Sequence, residues 1–147
     1  MRLVKYIFSG SSFFALLLLI SIETTAQSAV DNSEFETFEY VDGDTTYLMK
    51  KYFLVIYTSG PNRSQTEDET MRLQKEHLAY QGEMGERKKI CLAGPMADDG
   101  EWRGMLVLSV KDMEAATELV QNDPMVKAGR LKYIIKPWWG AVGTKLF

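Results

Sequence analysis

The chain has 147 residues, 46% of them hydrophobic and 25% charged, a balance that fits one ordinary globular domain and excludes wholesale disorder. With 17 basic and 20 acidic side chains the formal net charge is −3, which argues against nucleic-acid phosphates as partners because those require a clustered basic face. The single cysteine, Cys91, excludes an intramolecular disulfide, so the core must hold the domain by itself or with help from a partner chain.

The N-terminus departs from that balance. Arg2 and Lys5 form a positive flank, and Phe13 to Ile20 is an unbroken apolar run of eight residues. Thr24-Thr25-Ala26 then places small residues before Gln27. Charged flank, short apolar run and small-residue cut are the marks of a secretory signal peptide, predicted here over residues 1–26. The run is shorter than the ~20 residues a spanning helix needs, and Ser9, Ser11 and Ser12 interrupt any extension of it. No cysteine follows to carry a lipid. The expectation is export to the periplasm or the extracellular space, with no stable membrane anchor after cleavage. Cleavage removes Arg2, Lys5 and Glu23, leaving 15 basic against 19 acidic groups and a net charge of −4.

Residues 27–50 read as a leader with a β-hairpin. Gln27 to about Thr37 is polar; Phe38–Val41 and Thr46–Met49 then alternate around Asp42-Gly43-Asp44, a hairpin-turn signal. A calcium loop starting at Asp42 would need a bidentate Glu at position 53, which is Phe, so the turn reading stands. The main domain is expected over residues 51–140, with a tail at 141–147. Tyr52–Tyr57 is a β-branched and aromatic run typical of a buried strand, ended by Ser59-Gly60-Pro61-Asn62. A helix is predicted from Glu67 to Lys88, with Leu73, His77, Tyr80 and Met84 on one face and Gly82 and Gly85 weakening its last turns.

Ile90–Ala93 reads as the second strand, closed by Gly94-Pro95, and its apolar flanks predict a buried, inert Cys91 thiol. Asp98-Asp99-Gly100 makes a turn, and Met105–Val110 is the third strand. Asp112 caps a second helix whose inward face is Met113, Ala116 and Val120. Asp123-Pro124 ends it and opens a further turn, Met125 to Ala128, which Gly129 stops. Leu131–Lys136 is the last strand, before Pro137-Trp138-Trp139-Gly140.

From residue 51 the order is strand, helix, strand, strand, helix, strand. That predicts an α+β, ferredoxin-like βαββαβ fold: a four-stranded antiparallel sheet with two helices on one face. The opposite face also needs cover, and the natural cover is the sheet of a second copy, a homodimer through sheet faces.

These pieces resemble the YciI (YCII-related) family of dimeric α+β barrel proteins. The matching residues are Tyr52–Tyr57, Glu76-His77-Leu78, Leu92-Ala93-Gly94-Pro95-Met96, Arg103-Gly104, Glu114-Ala115-Ala116, Asp123-Pro124 with Ala128-Gly129, and Lys136-Pro137-Trp138. The resemblance implies a dimeric ferredoxin-like fold and a pocket beside a His–Asp pair, which falls on His77 and Asp123. It also implies enzymatic roles for some members, among them removal of chloride from chlorinated hydroxyquinones; broader relatives include lactone isomerases and oxygenases. The signal peptide, the segment preceding Lys51 and Gly60-Pro61-Asn62-Arg63 depart from the plain family.

His77 is the only histidine in the chain. Imidazole has an unperturbed pKa of ~6.5, suited to proton transfer near neutral pH, and a carboxylate such as Asp123 could orient it. The alternative is a hydrogen-bonded core histidine, with Asp123 capping the short turn after Pro124. Arg63 and Arg103 sit at strand ends, where a bidentate grip on a substrate carboxylate is feasible, or simply as surface arginines. Trp138 is a candidate ligand-contacting residue or ordinary packing. No metal-ligand spacing, phosphate loop, nucleophile elbow or dinucleotide motif is present, so no cofactor is expected. The function expected is acid–base chemistry on a small cyclic or anionic molecule, or non-catalytic binding of one.

Overall fold

A computed structural model describes residues 34–146. The predicted signal peptide and the first part of the leader lie outside the described residues. In chain order the elements are β1 (Thr37–Asp42), β2 (Thr45–Ser59), α1 (Glu67–Glu86), β3 (Ile90–Pro95), β4 (Trp102–Leu108), α2 (Met113–Gln121), α3 (Pro124–Lys127) and β5 (Leu131–Ala141). From β2 onward this is βαββαβ with the short α3 added, the ferredoxin-like order. Every strand pairing is antiparallel, and β5, β2, β4 and β3 lie side by side.

The sheet has five strands rather than the expected four. β1 pairs with β2 from Thr37↔Lys50 to Asp42↔Thr45, so the Asp-Gly turn closes a two-residue loop in which Gly43 takes φ +58. Only glycine adopts that conformation without strain. The two stretches expected as separate strands, Thr46–Met49 and Tyr52–Tyr57, are one 15-residue strand. Lys50 and Lys51 do not break it, because each charge finds a partner. Lys50 Nζ donates to Ser109 Oγ at 2.8 Å and stands over the Phe35 ring, while Lys51 pairs with Glu36.

β5 likewise runs on to Ala141, through Pro137. Among the described residues it pairs only with β2, and an edge strand tolerates the missing proline donor. α1 starts on a full capping box between Thr66 and Glu69 and stops at Glu86, two residues earlier than expected. Lys88 takes φ +57 just beyond it, a conformation that no helix continues.

Side chains alternate along β2. Phe53, Val55 and Tyr57 turn toward the helices and form the core with Leu106, Leu108, Ala116 and Val120. Leu73, His77 and Met84 of α1 are buried, as the predicted stripe required. Tyr80 reaches from α1 to the Leu119 carbonyl at 2.8 Å, tying the two helices together. Cys91 corrects an expectation. It is exposed, on an outer strand whose register shifts between Ile90 and Leu92. Local apolar flanks predict burial only when a strand is covered on both faces.

Among the described residues no helix is long and apolar enough to cross a membrane.

Candidate functional site

The site lies where the C-terminal end of β2, the middle of α1 and the N-cap of α3 converge. Each contributes one polar group to the core. Tyr57 comes from the inward face of β2 and His77 from the buried stripe of α1. Asp123 caps α3, its side chain accepting from the Met125 amide at 2.9 Å.

Asp123 is completely buried, so its carboxylate depends on protein donors alone. It has three. Besides the Met125 amide, Tyr57 Oη donates at 2.9 Å to Oδ2, and His77 Nδ1 lies 2.7 Å from Oδ2 and 2.9 Å from Oδ1. A carboxylate only accepts, so the ring proton sits on Nδ1. Nε2 is then left with its lone pair, and the Gln81 amide nitrogen donates to it at 2.9 Å. With a proton on Nδ1 toward Asp123, the His77 ring is oriented so that Nε2 faces Gln81. Dehydration, and after it the neighbouring Asp123 carboxylate, pushes the Tyr57 phenol far above its ordinary pKa. Tyr57 therefore remains a donor at any working pH. Asp123 thus caps α3 and orients His77 at once; the two readings of the sequence describe the same carboxylate.

His77 also forms part of the wall of a cavity of about 700 Å³. Its lining brings together residues far apart in sequence: Tyr57, Arg63, Gln81, Cys91, Arg103 and Arg130, with apolar surface from Leu78, Met105, Leu106 and Met125. Among the described residues none of the three arginines is in an ion pair. Arg103 and Arg63 were expected near a pocket and both line this one. Trp138 was expected to contact ligand, and it is not part of the lining; it packs beside Tyr52, with ring centroids 6.0 Å apart. It stands level with Tyr52 on the face away from the helices, whereas His77 lies on the helix side.

The rim that carries Arg63 and Arg130 is laced by main-chain atoms. Gly60 N donates to Arg130 O at 2.9 Å and Asn62 N to Gly129 O at 3.0 Å. The Asn62 and Gln65 side-chain amides both donate to Ala128 O, and Arg130 in turn donates to Gln65 Oε1 at 3.1 Å. A Cβ on Gly60 would run into Gly129 O and the backbone carbon of Arg130, so only glycine allows this approach.

Sequence reasoning missed Tyr57, Gln81 and Arg130. Gln81 follows His77 by one helical turn and Tyr57 shares the inward parity of Phe53 and Val55; both signals were present. Arg130 had no local signal, because the lacing of two distant loops places it.

A family model for the YCII-related domain matches residues 51–139. The chain belongs to the YCII-related family. The match begins within β2, so the β1–β2 hairpin lies outside the YCII-related domain itself. A solved structure similar to this chain is 5-chloro-2-hydroxyhydroquinone dehydrochlorinase from Burkholderia phenoliruptrix AC1100, in complex with 2,5-dihydroxybenzoquinone. It shares 23% identity at a TM-score of 0.47, covering 59% of this chain and 92% of that one. No curated protein matches the chain.

No group of three or more His, Cys, Asp or Glu among the described residues could hold a metal. The arrangement places an imidazole oriented by Asp123 in the wall of a cavity that Arg63, Arg103 and Arg130 also line.

Proposed function

We propose that this YCII-related protein is exported, works as a homodimer joined through its sheet faces, and uses His77 for acid–base chemistry on a small anionic organic molecule. The observation that carries the reading is an imidazole oriented by a buried carboxylate, in the wall of a cavity that three arginines also line. As base, Nε2 accepts a substrate proton, and Asp123 stabilises the imidazolium that results. The electron pair left on the substrate becomes an oxyanion that a guanidinium can hold bidentately. Gln81 must then turn its amide oxygen toward the new Nε2–H or move aside. Export rests on the N-terminal pattern, and the dimer on the need to cover the second face of the sheet.

Gln81 also supports a second reading. Its amide already occupies the Nε2 lone pair, as suits a site that binds an anion without transferring a proton.

The test is a screen of the purified protein against lactones, hydroxyquinones and halogenated ring compounds, alongside His77→Ala. The proposal expects turnover with one class and its loss in the variant. Absent turnover with retained ligand-induced thermal shifts favours binding. An effect of His77→Ala on stability alone, with neither turnover nor binding in the parent, sinks both readings.

A further inference from the structure

The β1–β2 hairpin stands outside the YCII-related domain; Phe38 packs on Trp139 on one face, and the other face lacks cover. All six residues of β1 are exposed, and among the described residues β1 pairs with β2 alone. On the turn side of Met49 the arm is two strands only, and such a ribbon with an uncovered apolar face is marginal in water, so the open face implies something that packs on it.

Strand alternation shows which surface is involved. Phe53, Val55 and Tyr57 face the helices, so the even-numbered residues of β2 face away from them. Directly paired residues share a face. Leu48 therefore brings Glu39 and, one pair further, Val41 onto the open side of the arm. On β5 the same rule places Lys132, Ile134, Lys136 and Trp138 on the open side of the domain. Val41 is 62% exposed, Leu48 40%, Ile134 48% and Trp138 47%, high values for large apolar side chains that all look the same way.

The charges on the two surfaces are opposite. The arm carries Glu39, with Asp42 and Asp44 at its tip; the β5 stripe alternates lysine with apolar residues. Among the described residues neither Glu39 nor either lysine is in an ion pair. They cannot meet within one chain. Glu39 is level with Leu48 and Lys136 with Leu54, on opposite sides of β2; six residues of strand separate them by roughly 20 Å.

We infer that the arm of each subunit lies across the open face of a second copy of this chain. Val41 and Leu48 cover Ile134 and Trp138, and Glu39 meets Lys132 and Lys136. The inference rests on the homodimer proposed above and adds to it a clamp that the family domain lacks. A two-fold dimer makes the contact twice, so each charge change acts twice.

The test is the dimer dissociation constant of the purified protein, by sedimentation at several concentrations, for four forms: the parent, Glu39→Lys, Lys132→Glu with Lys136→Glu, and all three changes together. Each charge reversal alone should weaken the dimer by about tenfold or more, and the combined variant should recover to within about threefold of the parent. Val41→Ser with Leu48→Ser should weaken it without touching charge. Amide exchange over residues 37–48 should slow as protein concentration rises. A parent dimer indifferent to all these changes overturns the clamp and leaves the dimer standing. A parent that stays monomeric at 100-micromolar order overturns both.

Discussion

Replacing Tyr57 with Phe removes one buried oxygen and little else. The parent Asp123 accepts from His77, Met125 and Tyr57, and the variant keeps the first two. A hydrogen bond to a charged acceptor contributes ~1.5–3 kcal/mol. With two donors left on the carboxylate, the expected loss at neutral pH is about 2 kcal/mol, or a fall in melting temperature of about 8 °C for a domain of this size.

The sharper expectation is how that loss changes with pH. Burial raises the folded-state pKa of Tyr57 above the unfolded value of ~10. Below pH ~10 both states keep the proton, and the hydroxyl contributes its full stabilisation. Above it the unfolded chain releases a proton that the folded chain retains, so stability declines by up to ~1.4 kcal/mol per pH unit. By pH 11 the parent has lost about 1.4 kcal/mol through Tyr57 alone. Tyr57→Phe has no such proton to lose. The upward shifts of Tyr52, Tyr80 and Cys91 and the downward shift of Lys50 are common to both proteins and cancel in the difference. Urea unfolding of both proteins from pH 7 to 11 should show the gap shrinking from about 2 to below about 1 kcal/mol. A gap that stays constant to pH 11 would refute the buried donor, as would one below about 0.5 kcal/mol at pH 7.

Asp123→Asn takes the charge out of a fully buried network and should cost about 3 kcal/mol; ring nitrogen shifts should show His77 leaving its single tautomer, and an unchanged tautomer would contradict Asp123 as its orienting group. Gly60→Ala forces a Cβ into the backbone of Gly129 and Arg130; a loss of about 2 kcal/mol is expected in thermal denaturation, and a melting temperature equal to the parent's would contradict the close approach. Arg130→Gln should weaken binding of a simple aryl carboxylate such as benzoate by about tenfold in calorimetry, with stability changed by less than about 1 kcal/mol. An unchanged affinity would remove Arg130 from the anion site.

Much of the fold is legible because its local signals agree with its packing. The Asp-Gly turn, the stripe through Leu73, His77, Tyr80 and Met84, the Asp112 cap and the Asp123-Pro124 start all specify what the tertiary structure uses. The His77–Asp123 pairing comes from the resemblance, and the structure places the two side chains in contact. What stays hidden is decided by distant partners. Lys50-Lys51 looks like a break until Ser109, Phe35 and Glu36 supply partners for both charges. Pro137 looks like a stop until β5 proves to be an edge. Trp138 looks like a pocket residue until the register puts it on the face away from the helices.

The laced rim has a consequence for how this protein can change over evolutionary time. The frame that holds the cavity mouth open is largely peptide backbone, with Gly60 its strict sequence requirement and the Asn62 and Gln65 amides its side-chain ties. Arg63 and Arg103 project from strand ends and loops without carrying that frame. Substituting them changes the charge at the cavity mouth while the backbone lacing stays in register. A lineage can therefore alter the charge of this cavity by a few exposed substitutions, without disturbing the backbone frame around it.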